Sequence, residues 1–214
     1  MDNEVTQSGV EAEQRFPRRG ILAAGIGGAA LSLLPFLSGQ ASASATATTT
    51  TTTTPPRRPT DGDVSLLGRA QSIELTALAL YDKAIAKVKD WSPAQATVVK
   101  TLRESHNAYA NSISGLLGRR APNKVDDTIV RQLTADFTAS ANDVLLAAAS
   151  FESGVVATHI DVIAKLQGIN AAALLASIEI AEARHVTALR HLAGVTDESA
   201  LLVDTEVDSL LGNG

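Results

Sequence analysis

The sequence predicts an all-α domain, a four-helix bundle built from two antiparallel helical hairpins with a long crossover between the second and third helices. Three observations lead there. Apolar residues recur close to the period of an α-helix over four separate stretches. The breaks inside each pair of stretches are only a few residues long, so each pair folds back on itself. The composition is rich in Ala and Leu with 3% aromatic residues, which suits close-packed helices and is poor for a β-sandwich.

The first helix is expected from about Val64 to Lys89, with Leu67, Gln71, Glu74, Leu78, Tyr81, Ile85 and Val88 on its inner face. After Asp90-Trp91, the run Ser92-Pro93-Ala94-Gln95 is a strong helix start: Ser as N-cap, Pro at the first helical position, Gln able to close a capping box. The second helix runs to Leu117 and ends at Gly118, with Val99, Leu102, His106, Tyr109, Ile113 and Leu116 inward. Residues from Arg119 to about Asp143 cross the length of the bundle, with a short helix expected over Asp126 to Phe137. The third long helix, Asp143 to Gln167, turns Leu145, Ala149, Glu152, Val156, His159 and Ile163 inward. The turn Gly168-Ile169-Asn170 leads to the fourth, with Asn170 as its expected N-cap and Gly194 as its close. Its stripe is Leu175, Ile178, Leu189 and Leu192, and Glu182 and His185 fall inside it. The acidic tail over 195–214 is either a short amphipathic helix or loose.

Ahead of the bundle, residues 1–43 resemble a twin-arginine export signal. Arg18-Arg19-Gly20-Ile21-Leu22 opens an apolar run to Leu37, and Ala41-Ser42-Ala43 follows. Cleavage is expected after Ala43 or Ala45, giving an extracellular or envelope-associated protein; an uncleaved leader would attach it to a membrane. Residues 44–62 are low in complexity, with seven threonines from Thr48 to Thr54 and then Pro55-Pro56-Arg57-Arg58-Pro59. Such a segment has too little apolar surface to fold and reads as a tether. The domain itself is expected over residues 63–194.

The net charge of −5 offers no basic face for nucleic acid. Cysteine is absent, so disulfides, thiolate metal sites and iron–sulfur clusters are excluded. No haem, flavin or phosphate-loop motif is present, and Gly25, Gly27 and Gly28 sit in the leader, where a dinucleotide fingerprint has no meaning.

The two hairpins repeat. When the first and third helices are superposed, Glu74 meets Glu152 and Tyr81 meets His159. When the second and fourth are superposed, His106 meets Glu182, Tyr109 meets His185 and Gly118 meets Gly194. The chain has two tyrosines and four histidines, and all but His191 fall on inner faces. Buried glutamates destabilise a fold unless they are paired or ligated. Glu74, Glu152 and Glu182, on three different helices, therefore point to a polar centre. That centre is either a hydrogen-bond network fixing register or a metal site.

These residues carry a resemblance. Residues 63–194 resemble the ferritin-like superfamily, and within it secreted bacterial ferritin-like proteins of the desiccation-related type. The resemblance implies one Glu from each of the first and third helices, and Glu-x-x-His from the second and fourth, around two iron or manganese ions. Glu74 and Glu152 match the single glutamates, and Glu182-Ala183-Arg184-His185 matches the second motif. His106-Asn107-Ala108-Tyr109 stands where the first should be. The implied ligand set is Glu74, His106, Glu152, Glu182 and His185, with Tyr81, Tyr109 and His159 outside it. Three carboxylates and up to two imidazoles suit one Fe, Mn or Zn ion, or two ions held unevenly. The first expectation is therefore an exported protein binding iron or manganese in a degenerate site, with catalysis left open. The alternative is a metal-free, envelope-associated or stress-related bundle without enzymatic activity. A monomer or homodimer is expected rather than a storage cage.

Overall fold

The computed structural model describes residues 58–210. The expected export signal, residues 44–57 of the tether and residues 211–214 of the tail lie outside them. The described residues form five α-helices: α1 (Asp61–Lys87), α2 (Pro93–Leu117), α3 (Asp127–Leu133), α4 (Ala141–Ile163) and α5 (Ile169–Leu192), with three short 3-10 turns and no strand. The expected bundle is present: α1 pairs with α2 and α4 with α5, and the two hairpins meet along α1–α4 and α2–α5.

Local chemistry sets the helix ends. α1 starts three residues before the expected Val64, because Thr60 and Asp63 form a reciprocal capping box. Ser92 and Gln95 do the same for α2, with Pro93 first in the helix. Gly118 and Gly194, the repeat-related closing glycines, both adopt positive φ, 56° and 88°. The expected Asn170 cap is not observed. Gly168 occupies the cap position and Asn170 lies in the first turn of α5. The reason is Asp63, whose carboxylate accepts from the N–H groups of Gln167 at 2.8 Å and Gly168 at 2.9 Å. That pins the turn and lets α5 begin earlier.

The crossover climbs α1 residue by residue. Arg120 pairs with Asp61, Asn123 with Gln71, and the Asp126 N–H donates to Thr76. Phe137 then packs edge-on against Tyr81, and the Ala141 N–H reaches Asp90 at the far end. The single short helix expected here is two pieces, α3 and a separate 3-10 turn over Asp136–Thr138. The break tucks Phe137, fully buried, under Tyr81.

α4 is the most enclosed helix. Besides its expected stripe it buries Val144, Ala148, Phe151, Val155 and Val162. The crossover covers its start, and the tail crosses its middle: Leu210 packs on Gly154, and the Leu210 N–H donates to Thr158 at 2.8 Å. Beyond a 3-10 turn at Ser199–Leu201 the tail is not helical, and this contact holds it. By length and composition α4 is apolar enough to cross a membrane, yet most of that stretch is buried inside the domain. Cover on two faces accounts for its hydropathy.

Candidate metal centre

Midway along the bundle each long helix turns two polar side chains inward: Glu74 and Tyr81 from α1, His106 and Tyr109 from α2, Glu152 and His159 from α4, Glu182 and His185 from α5. Spacings of three and seven residues keep each pair on one helix face. Glu74, Tyr81, His106, Glu152, His159 and Glu182 are fully buried, His185 is nearly so, and Tyr109 is half-buried.

The histidines lie between the carboxylates. His106 is hydrogen-bonded through Nδ1 to Glu74 Oε2 at 2.8 Å and through Nε2 to Glu152 Oε1 at 2.9 Å. Its Nδ1 is also 4.0 Å from Glu182. The Tyr81 hydroxyl donates to Glu152 Oε1 at 2.6 Å, and its ring stacks on His106. His159 Nδ1 bonds Glu182 Oε2 at 2.9 Å, leaving Nε2 3.2 Å from Glu74 Oε1. His185 Nδ1 lies 3.5 Å from Glu152, and its ring stacks on Tyr109.

Two triads of ligand-type groups result, His106/Glu152/His185 and Glu74/His159/Glu182, each offering donor atoms within 4.8 Å of one another. Six buried side-chain nitrogen or oxygen atoms among the described residues lack a hydrogen-bond partner, and five belong to these triads. Glu74 Oε1, His159 Nε2 and Glu182 Oε1 make up one from each member of the second triad; Glu152 Oε2 and His185 Nδ1 belong to the first. His159 Nε2 faces Glu74 Oε1 at 3.2 Å and His185 Nδ1 faces Glu152 Oε2 at 3.5 Å, ion-pair contacts outside hydrogen-bond geometry. Buried carboxylate and imidazole atoms converging in this way are those a cation site would use. The donors fit a divalent ion: carboxylate oxygen with imidazole nitrogen suits Fe, Mn or Zn.

The electrostatics are uneven across the centre. Burial alone would lower His106, but Glu152 and Glu74 carry it well above the usual histidine range. Burial pushes Glu152 up, yet the His106 and His185 charges hold it well below the carboxylate range. On the other side burial keeps His159 below its usual value. Burial, then the Glu74 and Glu152 charges, raise Glu182 well above the carboxylate range. One side is thus an ion pair, and the other is a near-neutral carboxyl–imidazole pair pressed against Glu74. Burial and Glu152 also raise Tyr81 far above its usual value, and burial first of all pushes Tyr109 up to about 12.

All eight residues singled out in the sequence meet in this one layer. His159, placed with the tyrosines in the outer set, instead faces Glu74 and Glu182 directly. The sequence contained the signal: Tyr81 and His159 are repeat mates, and exchanging a phenol for an imidazole turns a hydrogen-bond donor into a ligand-type group. Phe137, which seals Tyr81, was legible only as part of a short helix. His191 is exposed, as expected from its face.

A family model described as a ferritin-like domain matches residues 62–195, well over half of the chain. No curated protein and no solved structure matches it. The chain belongs to the ferritin-like domain family.

Proposed function

We propose that the bundle binds a divalent metal ion, iron or manganese, in its polar core, and that it does so outside the cytoplasm. The observation that carries the metal reading is the convergence of Glu74 Oε1, His159 Nε2 and Glu182 Oε1, three buried ligand-type atoms that lack a hydrogen-bond partner and belong to a triad whose ligand atoms lie within 4.8 Å of one another. Glu182 fixes the His159 ring through Nδ1 and so presents Nε2 to the site. Glu152, His185 and His106 stand beside this triad, and Tyr81 orients Glu152. A bound ion would supply Lewis acidity and, for iron or manganese, one-electron redox chemistry. Iron or manganese is favoured over softer ions by the carboxylate-rich donor set and the absence of cysteine. Export rests on the twin-arginine-like leader, the small-residue exit and the Thr/Pro tether of residues 1–62.

The test is metal content. The full-length chain, purified without an affinity metal and titrated anaerobically with Fe(II) or Mn(II), is expected to retain metal on elemental mass spectrometry. Glu182→Gln, which keeps shape and removes charge, is expected to lose it. Retention of metal by Glu182→Gln at the wild-type level would overturn the assignment. A metal-free reading has one observation in its favour, the His106 ring bonded to two carboxylates, which neutralises part of the core without any ion. It predicts no metal in the wild-type chain and no effect of a chelator on melting.

A further inference from the structure

The two triads differ in a way that the repeat exposes. In the triad of Glu74, His159 and Glu182, every member has a buried atom without a hydrogen-bond partner. In the triad of His106, Glu152 and His185, His106 has none: Nδ1 is held by Glu74 at 2.8 Å and Nε2 by Glu152 at 2.9 Å. The ring lies among three carboxylates, Glu182 being the third at 4.0 Å. Glu152 Oε1 is likewise taken, by Tyr81 and by His106. The repeat mates of His106 and Tyr109 are Glu182 and His185. Three positions of the layer depart from hairpin symmetry, Tyr81 against His159, His106 against Glu182 and Tyr109 against His185, and both tyrosines pack on the His106 ring.

We propose that the His106 ring occupies the position a second metal ion would need, so that the centre is mononuclear, holding one ion at Glu74, His159 and Glu182. The inference rests on the metal reading above and narrows it. A ring hydrogen-bonded at both nitrogens has neither of them free to turn toward a metal. Admitting an ion beside Glu152 would mean breaking two buried hydrogen bonds and displacing a ring stacked on Tyr81. Tyr109 deepens the asymmetry, because a phenol packed edge-on to His106 replaces the imidazole that its mate His185 supplies on α5. Glu74 joins the halves: Oε2 holds His106 while Oε1 faces the open triad.

The experiment counts ions. Co(II) titration followed by absorbance, with elemental analysis of the same samples, is expected to saturate the full-length wild type at one ion per chain. Replacing the α2 pair by its repeat mates, His106→Glu with Tyr109→His, is expected to raise the count to two while the far-ultraviolet spectrum stays helical. One ion in the folded double variant would overturn the proposal and leave metal binding intact, and two ions in the wild type would do the same. No ion in the wild type would overturn the metal reading itself. If the double variant does not fold, single His106→Glu removes the ring by itself, and the wild-type count decides independently.

Discussion

At the scale of single residues, the two positions that control the domain's ends are Asp63 and Gly168, both far from the polar layer. Asp63 is almost fully buried and accepts from the N–H groups of Thr60, Gln167 and Gly168, joining the start of α1 to the α4–α5 turn. Burial pushes its carboxyl up, but these backbone donors outweigh burial and hold it below the usual range. Hydrogen bonds to a charged group contribute about 1.5–3 kcal/mol, so Asp63→Asn is expected to lower unfolding free energy by about 2–3 kcal/mol at neutral pH. The sign of the pH effect follows from the depressed folded value. The contribution is complete above the unfolded pKa and is lost as pH falls through the folded one. Denaturant curves should therefore show the gap between wild type and variant closing below about pH 4. Gly168 has no room for a side chain, because a Cβ there would meet Arg58 O and Asp63 Oδ2 at 3.0 Å. Gly168→Ala is expected to destabilise by about 1–3 kcal/mol, with the same probe as its check.

At the scale of elements, the four long helices and both hairpins were legible because their information is local: period, capping residues and closing glycines. The polar layer was legible because the repeat puts rare residues in register. What was not legible came from contacts between distant segments. Asp63 displaces the start of α5 across the fold, and no pattern near Asn170 reveals it. The second buried face of α4 depends on a tail whose sequence shows only acidic amphipathicity. That face yields a separable prediction at Gly154, where a Cβ would lie 3.0 Å from Leu210 Cδ2 and 3.1 Å from its Cγ. Leu210 is a flexible side chain near the end of the tail, so it can yield. An alanine in mid-helix gains about 0.5–1 kcal/mol over glycine, offsetting the lost contact. Gly154→Ala should leave the melting temperature within about 2 °C of wild type, while amide exchange over 204–210 accelerates several-fold. Unchanged exchange there would mean the tail is held by Thr158 and Ser153 alone.

At the scale of the whole molecule, the polar layer is where the two hairpins are joined chemically as well as by packing. Glu74 of the first hairpin faces His159 of the second, and His106 of the first holds Glu152 of the second. An ion among Glu74, His159 and Glu182 would bind a site that does not exist in the unfolded chain, so metal affinity becomes folding stability. Free metal at a hundred times its dissociation constant adds about 2.7 kcal/mol. For a domain of this size that corresponds to about 5–10 °C in melting temperature. Chelation by EDTA is expected to lower the melting temperature of the metal-loaded wild type by that amount. It should leave Glu182→Gln unmoved, since that variant has no ion to lose. Asp63→Asn, which acts at the bundle's end, should melt lower yet keep the full EDTA shift, because the two contributions lie on separate contacts and add. A wild type that ignores EDTA while remaining helical would mean that His106 and its carboxylates join the hairpins without metal.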